Sequence, residues 1–255
     1  MPITRFPHGV SSFGVPLFGG FAALPQAGTR GQHRWVDTVN GADGNNGLSP
    51  EVPVATIAQS LTLADDGVPT VHHIFPGSYA ESPQVTKRNQ VLIGETDGHN
   101  GIVQIVGNGS SARATLTVLE GFLRGFGLFN IELDVTTVSQ PALHLETDNS
   151  ADATATNDAL RFRLHNVSIR SSQPTVGFLF EGATLGLITQ CTIVGPTIGI
   201  GFIGSVINEV NDLYFSDINF ADCVTADLGT LVSASGTGIG IVDMTNVWFE
   251  RLKHW

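Results

Sequence analysis

Lysine is almost missing from this chain of 255 residues: Lys87 and Lys253 are the two. Only 14% of residues are charged and the formal net charge is -11, so the chain offers no cationic track for phosphates, and nucleic acid is not an expected partner. Cysteine is equally scarce. Cys191 and Cys223 stand without a CxxC spacing, which points to buried thiols and away from a disulfide or a metal site. No run of ~20 apolar residues is present, so no membrane-spanning segment is expected. A charged start followed by an unbroken apolar core and a small-residue cleavage site is also missing, and the expectation is synthesis and assembly in a cytoplasm. Long helical spacings of apolar residues are absent too, whereas 30 Gly and abundant Thr, Val and Ile indicate many turns joining short strands.

What the chain does have is a repeat. Phe126–Leu133, Phe162–Ile169, Gly186–Ile193, Leu213–Phe220 and Val242–Phe249 share one eight-residue pattern, apolar at the third, sixth and eighth places. The fifth place holds Asn130, Asn166, Gln190, Asp217 and Asn246. Sixth and eighth places alternate around a variable seventh, as in a strand with one buried face. The three-residue step from third to sixth breaks that alternation, so the chain bends at the amide or carboxylate, a residue type that tolerates left-handed backbone angles. Successive copies are 36, 24, 27 and 29 residues apart, the length of one solenoid coil plus a variable loop. The expected fold is therefore all-β, a single-stranded right-handed parallel β-helix, with the five fifth-place residues stacked as a structural corner ladder.

Residues 32–255 form this β-helix domain. Its start, Trp35 to Pro50, carries the turn pairs Asp43-Gly44 and Asn46-Gly47. Asp37, Asp43, Asn45 and Asn46 could ligate Ca²⁺ through oxygen, but the spacing misses an EF-hand loop and a turn held by its own side chains is the preferred reading. Residues 54–64 read as a short helix with Thr56 as N-cap and Ile57, Ala58 and Leu61 on one face, a lid for the first coil. His72 and His73 are adjacent on a strand, hence on opposite faces and badly placed to share a metal. The polar stretch 147–156 reads as a protruding loop, and the glycine-rich runs 195–201 and 236–241 as turns between coils. The apolar tail 248–255 is suited to capping the last coil or meeting a sister subunit.

Residues 1–31 differ in kind. Pro2, Pro7 and Pro16 forbid a regular helix, yet Ile3, Phe6, Phe13, Val15, Leu17, Phe18 and Phe21 are too apolar for a solvated tail. The segment reads as an extended arm docked on a partner or a neighbouring subunit.

Two resemblances follow from these words of sequence. The run Val36-Asp-Thr-Val-Asn-Gly-Ala-Asp-Gly-Asn-Asn-Gly-Leu-Ser-Pro50, the helix start at Ala55-Thr-Ile and the Phe75-Pro-Gly-Ser-Tyr79 turn together resemble the opening of pectate-lyase-like right-handed β-helix proteins. The opening Pro2-Ile-Thr-Arg-Phe-Pro-His-Gly-Val-Ser-Ser-Phe-Gly-Val-Pro16 resembles the N-termini of tailed-bacteriophage virion proteins, often ones that decorate the head. The second resemblance covers under 20 residues and implies a capsid decoration protein on the virion exterior. It would be a homotrimer, anchored to the major capsid protein through its arm. The alternatives are a tail spike or fibre module binding host-surface glycan and a polysaccharide depolymerase on the same scaffold.

Lyases on this fold need a base beside acidic ligands, and hydrolases need two carboxylates across a cleft. Candidate acids are Glu132, Asp134, Asp212, Asp217, Asp222 and Asp243, with Arg161, Arg163 and Arg170 as the nearby basic residues. The Asn-Thr-Asp and Gly-His-Gly signatures of the polygalacturonase-like family are absent, as are the lyase family's Arg-bearing motifs. No catalytic residue, cofactor or metal is assigned on sequence grounds.

Overall fold

The computed structural model describes residues 10–12, 15–18, 31–95, 101–107, 114–119, 125–136, 140–145, 161–173, 175–181, 184–203, 210–230 and 244–254. Near the start, β1 (Val10–Ser12) and β2 (Val15–Phe18) pair antiparallel as a two-stranded sheet of their own. Val15, Leu17 and Phe18 of the arm lie in β2. Ile3, Phe6, Phe13 and Phe21 lie outside the described residues.

The rest is a right-handed parallel β-helix of three sheets. Strand β3 (Gln32–Val36) begins the first sheet. The next turn gives β4 (Thr70–Ile74), β5 (Gly77–Ala80) and β6 (Gln84–Val85), one strand per sheet, and β7 (Gln90–Gly94), β8 (Val103–Val106) and β9 (Leu116–Val118) stack on them. Then come β10 (Gly127–Phe129), β11 (Ile131–Val135) and β12 (Leu143–Leu145), followed by β13 (Phe162–His165), β14 (Ser168–Ser171) and β15 (Val176–Glu181). β16 (Thr184–Thr189), β17 (Thr192–Val194) and β18 (Ile198–Ile203) precede β19 (Val210–Ser216), β20 (Asn219–Ala221) and β21 (Ala226–Thr230). β22 (Met244–Glu250) and β23 (Lys253–His254) end the first and second sheets.

The repeat works because parallel register puts like over like. Leu92, Leu128, Leu164, Ile188 and Phe215 stack inside the first sheet, and Ile105, Leu133, Ile169, Ile193 and Phe220 inside the second. All ten are buried in one continuous core. On the third sheet, Phe178 and Phe180 point inward from β15, and Phe180 lies against the rings of Phe162, Phe178, Phe202 and Phe215 at centroid distances of 5.7–6.2 Å.

At the bend from first to second sheet stand Asn130, Asn166, Gln190 and Asp217, with φ of 56°, 53°, 55° and 57°. Left-handed backbone lets one residue turn the corner, and Asn and Asp bear it at the lowest steric cost. Asn166 Nδ2 donates to Asn130 Oδ1 at 3.0 Å, so two rungs are joined by side chains. One rung earlier the ladder stops at Gly94, where a Cβ would lie 2.1 Å from the Asn130 carbonyl oxygen.

The fifth rung corrects the sequence reading. Asn246 is not at the corner, because Ser216 pairs with Glu250 and the next residue, Arg251, takes the bend at φ 53°. The last interval is thus 34 residues (217 to 251). Packing sets this phase: Val247 and Phe249 fall under Leu213 and Phe215, and the Phe215 and Phe249 rings stack at 4.8 Å. Arg251 closes the ladder with a two-pronged ion pair to Asp217, Nε to Oδ1 at 2.6 Å and Nη2 to Oδ2 at 2.9 Å. That guanidinium holds the Asp217 carboxyl below its usual range.

The helix α1 (Ile57–Leu63) closes the first coil, as its sequence suggests, with Thr56 accepting from the Gln59 N–H. Ile57 and Leu61 are buried, but Ala58 is exposed and Ser60 takes its place on the inner side. Glu81 accepts from the Ile57 and Ala58 N–H groups at 2.8 and 2.9 Å, and Asp43 from those of Ala55 and Thr56, both at 3.0 Å. These acceptors satisfy donors that a helix start leaves free, and they place negative charge at the positive end of the helix dipole. The polar loop before the helix is likewise held by its own side chains: Asp37 accepts from the Val39 and Asn40 N–H groups, and Asn46 from that of Leu48.

Candidate functional site

The three sheets differ in what their outer faces offer. On the first sheet, Val71, Val91 and Phe129 point away from the coil yet are buried in a second apolar cluster with Ile93 packed on it. Beside them, His73 Nδ1 donates to Glu95 Oε1 at 2.6 Å and its Nε2 meets His33 Nδ1 at 2.9 Å, while the Trp35 ring stacks on it at 5.1 Å. On the third sheet, Thr117 and Leu179 are also buried although they occupy outward positions.

The second sheet is open along its outer rows. One row runs Ser78, Gln104, Glu132, Ser168, Thr192, Asn219, Lys253; its neighbour runs Ala80, Val106, Asp134, Arg170, Val194, Ala221. Every one of these residues is half-buried or exposed. The local cause is plain in β11, where Ile131-Glu-Leu-Asp-Val135 alternates and sends Glu132 and Asp134 outward two residues apart.

Gln104, one coil earlier, fixes this pair: its Nε2 donates to Glu132 Oε1 at 2.9 Å and reaches Asp134 Oδ2 at 3.4 Å. The two carboxylate oxygens served by one amide nitrogen therefore lie within about 6 Å of each other. One coil later, Ser168 stands beside Glu132 and Arg170 beside Asp134, at the ~4.8 Å strand spacing. The patch thus presents two acceptors for hydroxyl groups, flanked by a hydroxyl and a guanidinium.

Glu132, Asp134 and Arg170, candidates from the sequence, are brought together here. Gln104 was missed, although the alternation in Val103-Gln-Ile105 could have placed it outward. The other candidates share neither row. Arg161 precedes β13, Arg163 faces outward on the first sheet, Asp212 sits in β19 with φ 52°, and Asp222 follows β20. Asp217 is spent on Arg251, and Asp243 lies outside the described residues.

A second polar group lies under α1. Ser60 Oγ meets His72 Nδ1 at 2.6 Å, and His72 Nε2 meets Gln90 Oε1 at 2.8 Å. Gln90 Nε2 donates to the Arg88 carbonyl, which leaves Oε1 as acceptor, so His72 carries its proton on Nε2 and takes the Ser60 hydroxyl proton on Nδ1. The order hydroxyl, imidazole, amide imitates a nucleophile with its base, but all three side chains are buried and no substrate reaches them. Burial pushes His72 down to about 4, which keeps it neutral. Cys191 is buried as well, and burial pushes its thiol up to about 12. Among the described residues no group of three or more His, Cys, Asp or Glu is placed to hold a metal ion, and no helix is long and apolar enough to cross a membrane.

No protein-family model matches the chain, and no curated protein matches it. Among solved structures it is similar to the pectin methylesterase of Aspergillus niger in a penultimately deglycosylated form. The TM-score is 0.43 at 12% identity, covering 88% of this chain and 85% of that one. The deglycosylated form of the same enzyme gives 0.38 at 11% identity, with coverages of 88% and 85%.

Proposed function

We propose that the protein is a glycan-binding β-helix module whose ligand lies along the second sheet. The observation that carries this reading is the Gln104, Glu132, Asp134 and Arg170 patch on an outer face whose rows stay open. Carboxylates set close together accept from vicinal hydroxyls, and a guanidinium donates to ring or hydroxyl oxygens, so such a patch suits a sugar. Rungs repeating every ~4.8 Å along the solenoid suit a polymer of similar units. The net charge of -11 disfavours a polyanionic chain and favours a neutral or amino-bearing glycan.

Binding, and not turnover, is the role assigned. The test is titration calorimetry against a panel of neutral oligosaccharides, with the double variant Glu132→Gln, Asp134→Asn as control. Saturable binding that weakens tenfold or more in the variant is the expected result, since a hydrogen bond to a charged group contributes roughly 1.5–3 kcal/mol. Equal affinity of both proteins, or no binding by either, sinks the proposal.

A second reading concerns attachment. It draws support from the two-stranded β1–β2 sheet, which is separate from the three sheets of the coil, and from the phage-like wording of the same segment. On this reading the arm anchors the protein to a major capsid protein on the virion exterior, in a homotrimer assembled in the host cytoplasm, and the β-helix projects outward. The two readings are compatible, since one uses the arm and the other the coil. A chain starting at Gln32 should then lose co-sedimentation with capsids; retention of that association rejects the anchoring role.

A further inference from the structure

The open face of the second sheet is longer than the charged patch at its middle. β5, β8, β11, β14, β17 and β20 lie side by side across it in parallel register, and at ~4.8 Å per step they make a strip about 24 Å long. One row carries a hydrogen-bonding side chain on every strand: Ser78, Gln104, Glu132, Ser168, Thr192 and Asn219. The row two residues further along is apolar toward both ends, with Ala80 and Val106 before the patch and Val194 and Ala221 after it, and charged only at Asp134 and Arg170. Neither row holds an aromatic ring on these six strands.

The missing rings decide how affinity can be gathered here. A small ligand is held tightly where a concave, aromatic-lined site buries most of its surface. A sheet face without rings offers one or two sugar units little apolar cover, and each hydrogen bond exchanged with water contributes little in net terms. Affinity on such a face has to be added up rung by rung.

We infer that the strip takes a linear, unbranched chain of about six sugar units laid along the solenoid axis, one unit to a rung. The hydroxyl edge of each unit lies on the polar row and its C–H face on the apolar row. The inference rests on the glycan-binding role proposed for the same face and adds the length, direction and shape of the ligand.

The patch and the rungs beyond it then have different tasks. On β11 and β14 both rows are polar, so the units there are held on two sides, by Glu132 and Ser168 on one and by Asp134 and Arg170 on the other. That double hold fixes the register of the chain. On β17 and β20 each unit gains a hydrogen bond from Thr192 or Asn219 and covers Val194 or Ala221. A branch on the hydroxyl edge would push the chain off the polar row and leave its groups unpaired, so branched chains are discriminated against.

The test is a length series. The full chain is titrated calorimetrically with β-1,4-linked oligomers of glucose, of mannose and of N-acetylglucosamine, each from two to about six units long. For the series that binds, affinity should rise roughly threefold or more with each added unit up to the longest. The double variant Thr192→Val, Asn219→Val removes the hydrogen-bonding groups of two rungs at outward strand positions that valine suits. Its affinity should level off about two units earlier than that of the parent. Equal affinity for short and long oligomers in the parent overturns the inference and leaves the glycan-binding role standing. An undiminished rise in the variant does the same. Absence of binding at every length removes both.

Discussion

Phe180→Ala should lower the unfolding free energy by about 3–5 kcal/mol, the range for emptying a buried aromatic site. The ring is fully buried and touches four others, edge-on to Phe215 and roughly parallel to Phe162 and Phe202. A cavity in this place is hard to collapse, because each neighbour hangs from a strand hydrogen-bonded on both sides. β15 itself is held between β12 and β18, with Leu145 paired to Phe180 and Phe180 to Phe202. Phe180→Leu, which refills most of the volume, should cost less than half as much. Equilibrium urea unfolding measures both, and a loss under about 1 kcal/mol for the alanine variant would show that the aromatic cluster does not anchor the middle coils.

Acid should loosen the lidded end. His72 is neutral in the folded protein and titrates at about 4, against an ordinary value of 6.5. In the unfolded chain it therefore binds a proton first as the pH falls. Stability is unaffected by this group above pH 6.5 and falls from there down to about pH 4, by about 3 kcal/mol in all. His33 and His165 are also depressed by burial and act in the same direction. Burial raises Glu81 above the usual carboxylate range, so its protonation favours the folded state and opposes the histidines near the acid end of this window. Asp37, Asp66 and Asp217 are depressed, and their stabilisation is lost only as the pH falls below the usual carboxylate range. His72→Gln should flatten the stability profile between pH 7 and 4 relative to the parent protein. Parallel profiles would mean that the imidazole under α1 is not the group being titrated.

Much of this architecture could be read in advance because a parallel coil writes its cross-section repeatedly. Leu128, Leu164, Ile188 and Phe215 recur since each sits on the one before, and Asn130, Asn166, Gln190 and Asp217 recur since each turns the same corner. Asn246 misled because a local word, Thr245-Asn-Val-Trp-Phe249, imitates the corner. The true phase is set by Phe249 seating on Phe215, a contact made across 34 residues (215 to 249). The polar patch was half visible, in that β11 alternates, but Gln104 joins Glu132 from 28 residues away and no short pattern announces it. Ser60, His72 and Gln90 were hidden for the same reason. Which outer face stays open is settled only once all three sheets are assembled.

Stacking also gives the coil its route of failure. Each strand bonds only to the turn before and the turn after, so cohesion passes along the stack like links in a chain. Among the described residues the outermost strands, β3, β5 and β6 on one side and β21, β22 and β23 on the other, have a neighbour on one side alone, and fraying of one rung leaves the next in the same half-bonded condition. α1, pinned by Glu81, Asp43 and Lys87, ties the first coil to the chain around it. A column of this kind loosens rung by rung, and the contacts of α1 are what hold the first rung in place.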